Sequence, residues 1–403
     1  MIKISLTPWQ AERAVTIIDD VLTQGATLDR AYAREFSSFK MGPGEQARIA
    51  TLVGDLLRRL SLYCHLADVP LSEAATAGWG LICVWHQFHD LPLPSHPTAD
   101  RFNLKAFETR RAQAKGDPML WDGCPEWLEA LGQAQLGRRW PAERHALTLA
   151  PKRYLRVNRL KCEPQQLMDK LAREHIQTRP LADRPDTLEV LSDGALFRTE
   201  SFKEGWFEQQ DAGSQQIAPF LGVAPGMRVI DACAGAGGKT LHLAALMAGK
   251  GRLLAMDVEE WKLENLRQRA RRAGAHNVEA RLISSSKTIK RLKESADRLL
   301  LDVPCSGLGV LKRNPDAKWR DTAERLPILM ALQADILSRY SRMVKPGGEL
   351  VYATCSLLPC ENQEQVARFL AADSGFSLLA EQTVSPAASG YDGFYMARLR
   401  REG

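Results

Sequence analysis

From Gly205 to the C-terminus, short apolar runs alternate with amphipathic stretches, and no other feature of the chain limits its fold as much. Strands are predicted at Arg228–Asp231, Arg252–Met256, Arg298–Val303 and Glu349–Ala353. Helices are predicted between and after them at Lys239–Met247, Glu259–Ala273, Ala323–Val344 and Glu361–Ala371. Strands joined through helices run parallel and are covered on both faces. The predicted fold class is therefore α/β: a Rossmann-like, doubly wound, mostly parallel sheet. Ligands of such sheets bind outside the carboxyl ends of the strands, so the residues that follow each strand are the candidate site.

Two further regions precede this one. Residues 1–145 read as an all-helical domain. Thr7-Pro8 offers an N-cap with proline at the first helical position, and Ala14, Ile17, Ile18, Val21 and Leu22 recur at helical spacing. Residues 151–205 read as a small α+β domain. Its strands are expected at Tyr154–Asn158, Thr187–Leu191 and Leu196–Thr199, with a helix at Pro164–Glu174. Residues 206–403 hold the alternating region. A length of 403 residues suits two or three domains.

Apolar content of 45% and charged content of 25% are those of a soluble globular protein. The longest apolar stretch, Ala74–Trp85, is too short to span a bilayer, so no membrane partner is expected. The N-terminal residues from Met1 to Pro8 carry no signal-peptide core. Eight cysteines without a CxxC pair do not form a disulfide framework, which fits a cytoplasmic location. A monomer is expected. The formal charge of +6 mildly favours an acidic partner such as nucleic acid.

The first strand of the alternating region runs into Asp231-Ala232-Cys233-Ala234-Gly235-Ala236-Gly237-Gly238-Lys239-Thr240. Glycines in a strand-to-helix turn let the backbone approach a ligand, and the helix N-terminus offers unpaired N–H groups. A phosphate loop needs glycine where Cys233 stands, and a dinucleotide loop needs it at Thr240. A glycine-rich loop that fits neither pattern suits S-adenosyl-L-methionine, which carries a carboxylate and no phosphate. Cys233, Ala234, Gly235, Ala236, Gly237, Gly238 and Lys239 are the loop candidates for that cofactor. Asp257, after the next strand, is placed to accept hydrogen bonds from ribose hydroxyls.

Cys64, Cys83, Cys124 and Cys162 read as buried small hydrophobes, and Cys233 as packing beneath the loop. Cys360, at a helix start, is open to either reading. Cys305 and Cys355 differ: each follows an apolar strand at the carboxyl edge, in Asp302-Val303-Pro304-Cys305-Ser306-Gly307 and Tyr352-Ala353-Thr354-Cys355-Ser356. Two thiols in one crevice suit a reaction in which one adds to an electrophilic ring and the other assists release. Zinc is the rival use of cysteine, but Cys83, His86 and His89 lie on one apolar helix without a fourth ligand, so no metal is expected.

Together these motifs resemble the Sun (RsmB-like) family of S-adenosylmethionine-dependent RNA 5-methylcytosine methyltransferases. The resemblance runs from about Phe207 to the C-terminus. It includes Gln210-Asp211-Ala212-Gly213-Ser214-Gln215, the Asp231–Thr240 loop, both cysteine motifs, and Arg313-Asn314-Pro315-Asp316-Ala317-Lys318-Trp319. Leu155-Arg156-Val157-Asn158 resembles the start of the family's small RNA-contacting domain, and the helical region resembles the NusB-like domain of some members. By this resemblance Cys355 is the nucleophile at cytosine carbon 6 and Cys305 assists release. Asp302 contacts the base's pairing edge near the cofactor, and Lys239 approaches the target base. Gly235-Ala236 replaces the family's usual Ala-Pro. Ser284, in Leu282-Ile283-Ser284-Ser285, stands where the family often has the aspartate that touches the cofactor's adenine.

RNA is the partner this implies, with ribosomal RNA favoured over transfer RNA. Three basic groups are available to contact it. They are the Lys262–Lys293 run of ten Lys or Arg against two Glu, the set Lys152, Arg153, Arg156, Arg159 and Lys161, and the set Lys312, Arg313, Lys318 and Arg320 with Trp319. The third follows the Cys305 motif and is favoured as a substrate-contacting loop. A target base inside a helix must leave its stack before carbon 6 is attacked. Two rivals remain: a DNA cytosine methyltransferase, which leaves the Thr-Cys-Ser thiol unexplained, and a non-catalytic RNA-binding assembly factor on the same fold.

Overall fold

The computed structural model describes residues 6–320 and 322–403, so the first five residues of the N-terminal stretch read above lie outside the described residues. Two compact units emerge, residues 1–150 with 310–325, and residues 151–309 with 326–403.

The first unit is helical. Its opening helix, Pro8–Thr23, starts as the sequence predicts: Thr7 and Gln10 exchange side-chain and backbone hydrogen bonds in a capping box, with Pro8 in the first turn. Ile17, Ile18 and Val21 face the Leu52, Leu56 and Leu57 side of helix Pro43–Arg58 in one buried core. Beside it the partly buried Asp55 carboxylate receives the Trp85 indole N–H at 2.9 Å and the Tyr63 hydroxyl at 2.7 Å, with His89 Nε2 at 3.0 Å. Burial alone would raise its pKa, but these bonds and Arg58 outweigh that and hold the carboxyl well below its ordinary value. His86 Nδ1 lies on the Pro92 carbonyl at 2.6 Å.

Residues 310–320 and 322–325 pack in this unit, which corrects the expectation of a substrate contact for Lys318 of the third basic group. The last carbonyls of a helix lack intrahelical partners. Lys318 Nζ donates to the Arg58 carbonyl at 2.8 Å, and Trp319 Nε1 to the Leu57 carbonyl at 2.6 Å. Lys318 is buried, and its ammonium complements the negative end of the Pro43–Arg58 helix dipole. Both side chains cap a helix, and the buried Lys318 is not available to RNA.

The second unit carries two sheets. The smaller contains β1 (Tyr154–Val157), β2 (Thr178–Leu181), β3 (Arg184–Val190) and β4 (Phe207–Gln209), antiparallel in the order β2-β3-β1-β4. Helix Pro164–Arg173 covers it with Leu167 and Leu171 fully buried. Leu196–Thr199, expected as a strand, is instead a 3-10 turn, Leu196–Arg198, whose next residue Thr199 caps helix Glu200–Lys203. Only Leu196 of its two large apolar side chains is buried, while Phe197 is exposed. The edge position falls to β4, where Phe207 enters the core.

The larger sheet holds β5 (Arg228–Asp231), β6 (Arg252–Asp257), β7 (Val278–Leu282), β8 (Ala296–Asp302), β9 (Val344–Thr354), β10 (Phe376–Val384) and β11 (Phe394–Arg401). Their order is β10-β11-β9-β8-β5-β6-β7. Strands β5 to β9 pair in parallel, and β11 and β10 extend the sheet antiparallel from β9. The sheet is thus mostly parallel, as the alternation requires. Ile230, Met256, Leu299, Leu301, Tyr352 and Tyr395 lie at its buried centre. Chain order reverses between β5 and β8, so the crevice at a switch point opens where Asp231 and Asp302 end their strands. Among the described residues no helix is long and apolar enough to cross a membrane.

Gly237 begins helix Gly238–Leu246 with φ +89°, and a β-carbon there would stand 2.7 Å from Leu266 Cγ. Gly237→Ala is expected to cost about 1–3 kcal/mol in denaturant unfolding. A change smaller than about 0.5 kcal/mol would mean the turn tolerates a side chain.

Candidate active site

Parallel pairing sets the site. Asp231 on β5 stands opposite Leu300 and Ala255, Asp302 on β8 opposite Ala353, and Asp257 on β6 opposite Leu282. The segments after all five strands therefore leave from one edge. The glycine loop follows β5, Asp257 ends β6, and the two cysteines follow β8 and β9.

Loop and acid interlock. Asp257 accepts the Gly235 N–H at 2.9 Å on Oδ2 and the Glu259 N–H at 3.0 Å on Oδ1. Gly235, at φ +52°, has open space where a side chain would stand. The loop carbonyls are held from behind: Arg269 donates to Ala236 at 2.6 Å and Arg156 to Gly238 at 2.6 Å. Arg156 is buried, which pulls its pKa down to about 10. Arg269 and Arg272 also pair with Glu208. Members of the first two basic groups thus brace the loop. Ser284 lies exposed just past β7, where the Ile283 N–H bonds the Asp257 carbonyl; this is the same edge as Asp257.

At the switch point Lys239 Nζ and Asp302 Oδ2 form an ion pair at 2.6 Å. Burial works against the ammonium, but Asp302, Cys355 and Asp231 outweigh it and raise the Lys239 pKa. Beneath them Asp231 is buried, with the Thr240 hydroxyl donating at 2.7 Å. Burial, reinforced by the Asp302 charge against that hydrogen bond, lifts its pKa to about 7. Burial and the charges of Asp231, Asp302 and Asp257 push the Cys233 thiol well up, which makes it unreactive.

Cys305 and Cys355 meet. Their Sγ atoms are 3.2 Å apart as free thiols, and the Cys355 N–H points at Cys305 Sγ at 3.3 Å. The contact with Cys355, then burial and the nearby Glu361 carboxylate, hold the Cys305 thiol well above its ordinary value. Cys360 is buried in a 3-10 turn with its thiol raised to about 11, which leaves it a packing role. Sequence reasoning missed Glu361, Asn362 and Gln333, all buried and bonded to residues flanking the two cysteines. Their one signal was a Glu-Asn pair soon after Thr-Cys-Ser, which reads equally well as a helix start.

The residues present fit S-adenosylmethionine. The Asp257 carboxylate stands against the loop, which suits a ligand with hydroxyl and ammonium donors, and Gly235 leaves room for it against the backbone. A glycine loop at the switch point of an open, mostly parallel sheet defines the Rossmann-like methyltransferase class. A solved methyltransferase homologue protein from Pyrococcus horikoshii matches with a TM-score of 0.62 at 28% identity, over 71% of this chain and 98% of its own. Residues 218–400 match the family described as 16S rRNA methyltransferase RsmB/F, and residues 124–195 match the family's ferredoxin-like domain. The probable ribosomal RNA small subunit methyltransferase B of Synechocystis sp. is 35% identical over 301 residues, 69% of this chain and 66% of its own. The ribosomal RNA small subunit methyltransferase B of Pseudomonas syringae pv. tomato is 33% identical over 307 residues, 70% of this chain and 67% of its own. The chain belongs to the RsmB/F methyltransferase family and spans about two thirds of the length of the curated relatives it matches.

An acid whose pKa is raised by folding holds a proton that the unfolded chain has lost. Stability therefore falls as pH climbs from about 4 to about 7, by at most about 1.4 kcal/mol per pH unit for one proton. Asp231→Asn is expected to remove that slope in denaturant unfolding between these limits. Parallel wild-type and mutant curves would show that Asp231 ionises normally.

Proposed function

We propose that the protein methylates carbon 5 of a cytosine in ribosomal RNA, using S-adenosylmethionine and a covalent bond from Cys355 to carbon 6. The observation that carries this is the pair of free thiols 3.2 Å apart beside the Lys239–Asp302 ion pair. Names of the family and its relatives support the substrate class. The cysteines, none of which forms a disulfide among the described residues, fit a reducing cytoplasm, and the protein acts as a monomer in this reading.

The roles follow from the charges. Cys355 attacks as the thiolate, and the Lys239 ammonium stabilises that charge. Asp302 gives one carboxylate oxygen to Lys239 and presents the other to the pairing edge of the base. There it stabilises positive charge on the protonated ring nitrogen as carbon 6 is attacked. Bound S-adenosylmethionine supplies an electrophilic methyl group. Asp257 and the 233–238 backbone hold it, with Ser284 at the adenine end. Once Cys355 is bonded to carbon 6, the largest influence that holds Cys305 protonated is gone. Cys305 then gives its own proton to water and, as the thiolate, takes the proton from carbon 5 while the Cys355–carbon 6 bond breaks and Cys355 leaves as a thiolate.

Cys305→Ala, incubated with S-adenosylmethionine and unmodified small-subunit ribosomal RNA, is expected to yield a protein–RNA adduct that survives denaturation. The Cys305→Ala/Cys355→Ala double variant should yield none. An adduct from Cys355→Ala instead would exchange the two roles, and absence of any adduct would overturn the covalent mechanism.

A further inference from the structure

Each reactive cysteine has neighbours gripped by a different member of one buried dipeptide, Glu361 holding Ser306 beside Cys305 and Asn362 holding Thr354 and Ser356 around Cys355. Around Cys305, Gln333 Nε2 donates to the preceding Pro304 carbonyl at 3.0 Å and to Glu361 Oε1 at 2.9 Å. Ser306, which follows Cys305, gives its N–H to Glu361 Oε1 at 2.8 Å and its hydroxyl to Oε2 at 2.5 Å. Around Cys355, the Thr354 hydroxyl donates to Asn362 Oδ1 at 2.5 Å, and Asn362 Nδ2 donates to the Ser356 carbonyl at 2.9 Å. The two grips meet where Ser306 Oγ and Ser356 Oγ lie 3.3 Å apart. The Tyr352 hydroxyl fixes the Glu361 carbonyl at 2.7 Å, and Gln365 holds Gln333 Oε1 at 3.2 Å. Glu361 and Gln333 are fully buried and Asn362 nearly so.

We propose that Glu361 and Asn362 are positioning residues with separate tasks, Glu361 (through Gln333) setting the release thiol Cys305 and Asn362 setting the nucleophile Cys355. A buried carboxylate whose side-chain hydrogen bonds all come from neutral donors is an expensive way to hold two turns together. Apolar packing does so at lower desolvation cost. What the carboxylate adds is direction, because both its oxygens are aimed at the residue after Cys305. It adds charge as well, since a second negative group is disfavoured on the adjacent thiol. Asn362 is neutral, and its grip on Thr354 and Ser356 adds no negative charge beside the nucleophile. Thiols held to different tasks by different neighbours fit a reaction in which one attacks first and the other acts only at release.

This inference rests on the covalent reading above, and the test separates the two. Each variant is mixed as full-length protein with S-adenosylmethionine and unmodified small-subunit ribosomal RNA. Denaturation-resistant adduct and 5-methylcytidine are then measured together. Glu361→Ala is expected to behave like Cys305→Ala, accumulating adduct while turnover falls about tenfold or more. Asn362→Ala is expected to lose turnover to a similar extent with no adduct. Glu361→Gln keeps an oxygen for the Ser306 N–H and should recover part of the release rate. If Glu361→Ala does not fold, Gln333→Ala loosens the same side and should also accumulate adduct. Equal loss in all variants without accumulation would make both residues merely structural and overturn the assignment. If Cys305→Ala itself gives no adduct, the covalent reading falls first and this assignment with it.

Discussion

The parallel pairing of β8 with β9 decides where the chemistry can be. Asp302 opposite Ala353 brings both strands to the same edge within a residue of each other, so the turns carrying Cys305 and Cys355 leave side by side. A slip of one residue would turn every side chain of a strand to the other face. Both faces are buried here, Leu299, Leu300 and Leu301 on β8 and Leu350, Val351 and Tyr352 on β9 alike, so a slip would force side chains of different size to repack on both faces. Pairing of β5 with β8 adds the glycine loop to the same edge, and β6 adds Asp257. Core packing and site assembly are thus one constraint.

On that frame the electrostatics are graded by depth. Asp231 lies deepest, so much so that its carboxyl holds a proton near neutrality. Lys239 and Asp302 sit above it as a partly buried ion pair, where attraction exceeds the penalty of burial for the ammonium. The cysteines lie between a cation on one side and the buried Glu361 carboxylate on the other. This ordering sets the Glu361 charge against ionisation of Cys305 and couples the Lys239 ammonium to Cys355. A pair of thiols packed in a uniform apolar pocket would lack that distinction.

Much of this was legible in the chain because the parallel strands announce themselves. Val229, Ile230, Leu299, Leu300 and Leu301 form continuous apolar runs ended by Asp231 and Asp302, and the cysteines follow at once. The edge strands gave no such signal. Strand β10 is exposed along most of its length, Leu378 and Leu379 included, and takes its register from β11 rather than from its own pattern. Strand β2 is short, contains Pro180 and buries little. Leu196–Thr199 looked like a strand because apolar content was visible and the Thr199 cap outweighed it. Lys318 and Trp319 looked like RNA contacts because basic and aromatic residues beside a reactive motif suggest them. Their partners, the carbonyls of Arg58 and Leu57, lie far away in the sequence. Glu361, Asn362 and Gln333 stayed hidden for the same reason: polar groups in helices read as solvent-facing until the fold buries them.

The central claim is that the strand-end thiols form a cytosine-methylating pair with Cys355 as the attacking group. The most direct measurement is to incubate the protein with methyl-labelled S-adenosylmethionine and unmodified small-subunit ribosomal RNA, digest the RNA to nucleosides, and locate the label by mass spectrometry. The account predicts label in 5-methylcytidine, and none when Cys355→Ala replaces the wild type. Label on any other nucleoside, or 5-methylcytidine persisting with Cys355→Ala, would contradict it.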